Sequence, residues 1–184
     1  MVPAQKNGEL KDRLGGRFVA NLQTAEATPR GWRVASWPPL AWLETAIKAI
    51  ALVIGIAAGV SALSQGAFAV PGGLRLAQWG ILIFLSLGLI AAIFDRIKGR
   101  EIVAMIFVVA NNLGHWGMVL TLAAGASPAL LPFAGLMLLG DLVKLLFLKR
   151  SGFTVSDVSR SVLYGLTLFY IVGYAAILIL GWLR

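Results

Sequence analysis

No cysteine occurs anywhere in the 184 residues. Disulfides, thiolate metal sites, thiol nucleophiles and iron–sulfur clusters are thereby excluded. Histidine occurs once, as His115, so a haem held by two histidines of one chain is impossible. Charge is scarce too. Lys, Arg, Asp and Glu make up 13% of the chain, where a soluble domain carries about 25%. No phosphate-binding loop, two-histidine zinc motif or nucleophile elbow is present, and no serine is set beside His115 by a recognisable pattern. These absences leave no catalytic set and no metal site, and the expected answer to whether the protein is an enzyme is no.

What the chain has in abundance is apolar length. Hydrophobic residues make up 59%, gathered into five runs at 41–63, 74–94, 102–124, 128–148 and 162–183. Each has about the 20 residues a helix needs to cross a bilayer core of ~30 Å. Transmembrane strands would be half as long and would alternate in polarity, which these runs do not. The sequence therefore predicts an all-α, polytopic integral membrane protein with five transmembrane helices in one bundle. In a bacterium that means the plasma or inner membrane. The partners expected are the lipid bilayer, and other membrane subunits or further copies of the chain.

The formal net charge is +8. A compact basic face would suggest nucleic acid. Here the basic residues are dispersed between the runs, where they meet anionic headgroups, so no nucleic-acid partner is expected. Their distribution sets orientation. Lys6, Lys11, Arg13, Arg17, Arg30 and Arg33 precede the first run. Arg96, Lys98 and Arg100 lie between the second and third, and Lys149, Arg150 and Arg160 between the fourth and fifth. The alternate gaps hold only Arg75, and Arg184 closes the chain. The positive-inside rule then predicts a cytoplasmic N-terminus and an external C-terminus, which five crossings require.

Residues 1–40 read as a basic cytoplasmic segment, and 41–184 as the transmembrane domain. Leu10, Leu14, Phe18 and Leu22 recur at helical spacing, which suits a surface amphipathic helix over 9–22. Gly15–Gly16 weakens it, and a disordered tail is the alternative. The segment has no apolar core of signal-peptide length, so the first run is expected to serve as the targeting signal. Trp32, Trp37 and Trp42 are interface anchors. Ser127–Pro128 is expected to open the fourth helix, and the Thr154–Asp157 capping box the fifth.

Polar residues inside the runs are the informative ones, because lipid penalises them. Glu44 and Lys48 sit one turn apart in the first span. Ala51, Gly55, Gly59 and Ala62 continue their face, a stripe of small residues that admits a neighbouring helix closely. Asp141 and Lys144 share a face of the fourth span. Counted at 1.5 Å per residue from the basic ends, Lys48 matches Asp141 in depth and Glu44 matches Lys144. Two interhelical charge pairs are expected, Lys48–Asp141 and Glu44–Lys144, with pairing of each lysine within its own helix or snorkelling to the interface as the alternatives. Asn111, Asn112 and His115 form the polar arc of the third span, with Trp116 beside them. Hydrogen bonding between helices, a solute or proton path, or a macrocycle with His115 as single axial ligand would each use such an arc. No cofactor is required by the sequence. Tyr164, Tyr170 and Tyr174 are not expected to converge on one site.

Three function classes fit these residues. The first is an accessory, assembly or scaffold subunit of a larger membrane complex, favoured by short loops and the small-residue face. The second is a small-solute or ion/proton-coupled transporter acting as an oligomer, with Asp141 and the Asn111–Asn112–His115 arc as its path. The third is a haem-, pigment- or quinone-binding membrane subunit.

Overall fold

The computed structural model describes residues 39–98, 102–126, 128–151 and 159–183. It contains five helices: α1 (Pro39–Gln65), α2 (Leu74–Lys98), α3 (Ile102–Ala123), α4 (Leu130–Ser151) and α5 (Arg160–Trp182). All five are long and apolar enough to cross a membrane. The protein is thus an all-α, multi-pass integral membrane protein, and its outward helix faces meet lipid. The expected N-terminal surface helix, Trp32, Trp37 and the Thr154–Asp157 box lie outside the described residues.

Helix ends depart from the apolar runs where local chemistry, not hydrophobicity, decides them. α2 continues past Phe94 into the basic loop. α4 opens at Leu130 rather than at Pro128, and Pro132 falls in its first turn, where a missing amide hydrogen costs nothing. α5 opens at Arg160, with the Ser159 hydroxyl accepting from the Val162 amide. At the other end of α3, Gly125 takes a positive φ of 79° and the Ala126 amide reaches back to the Thr121 carbonyl. That six-residue closure is the usual glycine stop of a helix. The 66–73 connection is pinned to the same corner by a 2.9 Å bond from the Ala69 amide to the Ala123 carbonyl.

The helices close into a ring in the order α1–α3–α2–α5–α4 and back to α1. Consecutive helices in this ring are antiparallel except α1 and α3, which run parallel. The two basic connections, α2–α3 and α4–α5, share one end of the bundle with the start of α1. This is called the basic end below.

Glycine makes most of the joints. A Cβ on Gly59 would lie 2.5 Å from the Gly117 Cα, and one on Gly55 would lie 2.6 Å from the Gly114 carbonyl oxygen. α1 and α3 therefore touch backbone to backbone, a contact open only to helices without side chains at the seam. Elsewhere glycine seats a partner's side chain: Gly140 of α4 under the Lys48 stem, Gly88 of α2 under the Tyr170 hydroxyl, and Gly173 of α5 under Leu85. The interior holds Leu82, Leu85, Met118, Leu122, Leu130, Phe133, Met137, Tyr174 and Ile177. A smaller cluster of Ala41, Phe147, Leu148 and Leu163 closes the basic end.

Candidate functional site

Nearly all the buried polar chemistry of the basic half follows the bundle axis. Its outer part is built on α1. The i, i+4 spacing of Glu44 and Lys48 puts their side chains on one face. That face is turned inward by the glycine seam one and two turns further on. Lys48 is 4% exposed, and its Nζ donates to Glu44 Oε1 at 2.8 Å and to Asp141 Oδ1 at 2.6 Å. The expected Lys48–Asp141 contact is therefore present. Glu44 shares the same ammonium, so one cation stands between two carboxylates. Lys48 thus makes both the interhelical contact and the contact within its own helix that the sequence allows. Lys144, half-buried one turn beyond Asp141, has contacts of its own. A charge this deep is tolerable only when paired, since leaving one buried ion unpartnered costs about 3–5 kcal/mol.

The inner part is built on α3 and α5. His115 is fully buried. Its Nδ1 lies 2.8 Å from the Asn111 carbonyl oxygen, and its Nε2 lies 2.7 Å from the Tyr174 hydroxyl. A carbonyl can only accept, so Nδ1 carries the hydrogen. In the neutral ring Nε2 then accepts from Tyr174. Both ring nitrogens are engaged, and Phe133 meets the ring in a T-shaped contact with centroids 5.3 Å apart. An axial bond to a macrocycle would have to displace Tyr174. Tyr170 stacks on Tyr174, with ring centroids 6.2 Å apart, and its hydroxyl donates to the Leu85 carbonyl at 3.2 Å.

The polar arc of α3 is divided by this geometry. Asn111 and His115 point into the bundle. Asn112 turns toward α2, where it accepts a short hydrogen bond from the Ser86 hydroxyl. Trp116 is 38% exposed on the outer side of α3, away from the His115 ring's partners. Ala51, Gly55, Gly59 and Ala62 are all buried on the inner face of α1. Asn111 is 7% exposed, and its carboxamide oxygen has no hydrogen-bond donor among the described residues.

Sequence reasoning missed several members. Tyr170 and Tyr174 are four residues apart, a spacing that puts them on one face. Judging them together with Tyr164 hid that. Ser86 and Gln78 were passed over as well. Both are fully buried, and Gln78 donates to the Ile177 carbonyl at 2.9 Å. Gly114 and Gly117, which receive the α1 stripe, were also missed, although their i, i+3 spacing on either side of His115 was readable.

Among the described residues, no three His, Asp or Glu side chains cluster as a metal site would need. At the end opposite the basic one, a shallow recess opens between Phe68, Ala69, Val70, Trp79 and Ala123. It is apolar and holds no titratable group. No family model, curated protein or solved structure matches the chain.

Proposed function

We propose that this protein is an accessory, assembly or scaffold subunit of a larger membrane complex. One observation carries the reading: most polar side chains within the membrane are bonded to one another or to backbone carbonyls. Lys48 joins α1 to α4, His115 joins α3 to α5, and Ser86 joins α2 to α3. Polarity used in this way fixes helix positions and leaves the lipid-facing surface almost wholly apolar. That surface includes Ile50, Val53, Val60, Phe84, Leu113, Leu146 and Val172, and offers other membrane subunits or further copies a docking face. Polar interhelical bonds contribute roughly 0.6–2 kcal/mol each, enough together to hold one packing arrangement.

The topology that goes with this reading is N-terminus cytoplasmic and C-terminus external, which puts the basic end in the cytoplasm. Single cysteines replacing Val70, Lys98, Ala126 and Gly152 test it, because the background contains no thiol. An impermeant maleimide should reach positions 70 and 126 from outside and not the other two. The opposite pattern overturns the orientation. The function is tested by extracting the protein from its native membrane in a mild detergent and reading mass and co-migrating chains. A reproducible complex with other membrane polypeptides is the expected result. A lone monomer that restores flux of a solute in liposomes would refute the subunit reading.

A further inference from the structure

The two polar groups just described lie along one line. Phe133 packs on His115, and Asp141 lies two turns from Phe133 along α4 toward the basic end, about 12 Å at 1.5 Å per residue. Leu52 packs on Gly114, and Lys48 lies one turn from Leu52 in the same direction. Asn111 is one turn from His115, and Tyr170 one turn from Tyr174, again in that direction. The order along the axis is therefore Glu44, then Lys48 with Asp141, then Asn111 with Tyr170, then His115 with Tyr174.

Bonds exist within the outer level and within the inner one. Between them stands the Asn111 carboxamide oxygen, nine-tenths buried and without a donor among the described residues. A buried acceptor of this kind is satisfied by a small donor such as water. On the other side of His115 the axis is mostly apolar. Met118, Leu122, Leu130 and Ile177 fill it, each less than 3% exposed. The buried polar side chains there are Thr121, bonded to the Gly117 carbonyl of its own helix, and Gln78, whose amide donates to the Ile177 carbonyl and whose oxygen has no donor among the described residues.

We propose that His115 and Tyr174 form a proton-binding site reached from the basic end only. The route runs through the Glu44–Lys48–Asp141 cluster and a water or hydronium held on the Asn111 oxygen. A proton taken up by the Asp141 carboxylate passes to that water and on to the Tyr174 oxygen. The proton Tyr174 already donates moves to Nε2. Asp141 returns to carboxylate, Tyr174 stays neutral, and His115 becomes an imidazolium that donates to Tyr174 and to the Asn111 carbonyl. The His115 ring itself meets Tyr174 from α5 and Phe133 from α4; Tyr170 stacks on Tyr174, and the charged groups further along the axis toward the basic end are Lys48 and Glu44 from α1 and Asp141 from α4. Among side chains described on α2, the only charge is Arg75, which bonds the Gly125 carbonyl at the far end. The site is a dead end for the proton. It senses the basic side of the membrane and conducts nothing across, which is independent of the subunit reading above.

A single histidine makes the test direct. The full-length protein is labelled with nitrogen-15 histidine, placed in lipid nanodiscs and transferred to deuterated buffer. The deuterium-induced shift of Nε2 reports exchange of the proton shared with Tyr174, while backbone amides of α3 report opening of the bundle. The shared proton should exchange faster than the core amides by about an order of magnitude or more, because no unfolding is needed. Asn111→Leu should slow it to the amide rate, and Gln78→Leu, on the far side, should leave it unchanged. Exchange of the wild-type proton together with the core amides overturns the proposal without any variant. So does an Asn111→Leu protein with native amides and unslowed exchange, or slowing by Gln78→Leu. If Asn111→Leu disturbs the amides, Asp141→Asn replaces it with the same criteria.

Discussion

Replacing Lys48 by methionine removes the ammonium and keeps most of the stem that rests on Gly140. The Asp141 side chain is 3% exposed and that of Glu44 13%, so the change strands one deeply buried carboxylate and one shallower one. The Asp141 contribution alone should cost about 3–5 kcal/mol, because a buried charge without its partner carries its full desolvation penalty. Asp141→Asn should cost less, about 1–2 kcal/mol, since Lys48 keeps Glu44 and the amide still accepts a hydrogen bond. The double variant Lys48→Met/Asp141→Asn leaves only Glu44, which lies nearer the interface and has some exposure. It should therefore be more stable than Lys48→Met alone. The cycle should give a coupling of about 2–3 kcal/mol. Reversible unfolding in bicelles, followed by far-ultraviolet circular dichroism against a denaturing detergent, measures all four proteins. A double variant as damaged as the sum of the two singles would refute the reasoning, because the 2.6 Å contact would then carry no energy of its own.

The glycine seam makes a separate demand. Gly59→Ala should destabilise by about 1–3 kcal/mol, because its Cβ meets the Gly117 backbone and neither helix can yield without parting. Gly135→Ala and Gly165→Ala meet open space and should be neutral or stabilising by up to about 1 kcal/mol in the same assay. Tyr174→Phe keeps the ring packing and leaves Nε2 without a donor, for a loss of about 1–3 kcal/mol and a shift of the single Nε2 resonance. Ser159→Ala removes the α5 cap and should cost about 1 kcal/mol, seen as faster amide exchange confined to the first turn of α5.

The five spans were legible because bilayer thickness converts directly into run length, and each helix covers most of its apolar run. Their order around the ring was not legible. Ring order depends on which faces interdigitate, and the decisive residues on α3, Gly114 and Gly117, have no side chain to weigh. Depth was readable, since rise per residue is fixed, so Lys48 and Asp141 could be set level before their contact was seen. Partner choice at that level was not readable. Glu44 lies on the same helix as Lys48 and reaches the ammonium at little conformational cost, so Lys48 takes it in addition to Asp141. The inner level was half legible. His115 and Asn111 stood out as polar residues in lipid, whereas Tyr174 is ordinary in a span and gains its role only from the position of α5.

The ring order also bears on how the chain is made. α1 precedes the other four described helices, yet its principal contacts are with α3 and α4 and not with the α2 that follows it. Through the synthesis of some 90 further residues, Lys48 has no Asp141 to meet. Glu44, one turn away, neutralises it from the moment α1 forms, and Lys144 stands three residues from Asp141 when α4 emerges. Each charged helix therefore carries its own counter-ion into the lipid. α1 can wait, electrically neutral and with its glycine stripe uncovered, until α3 arrives to claim it.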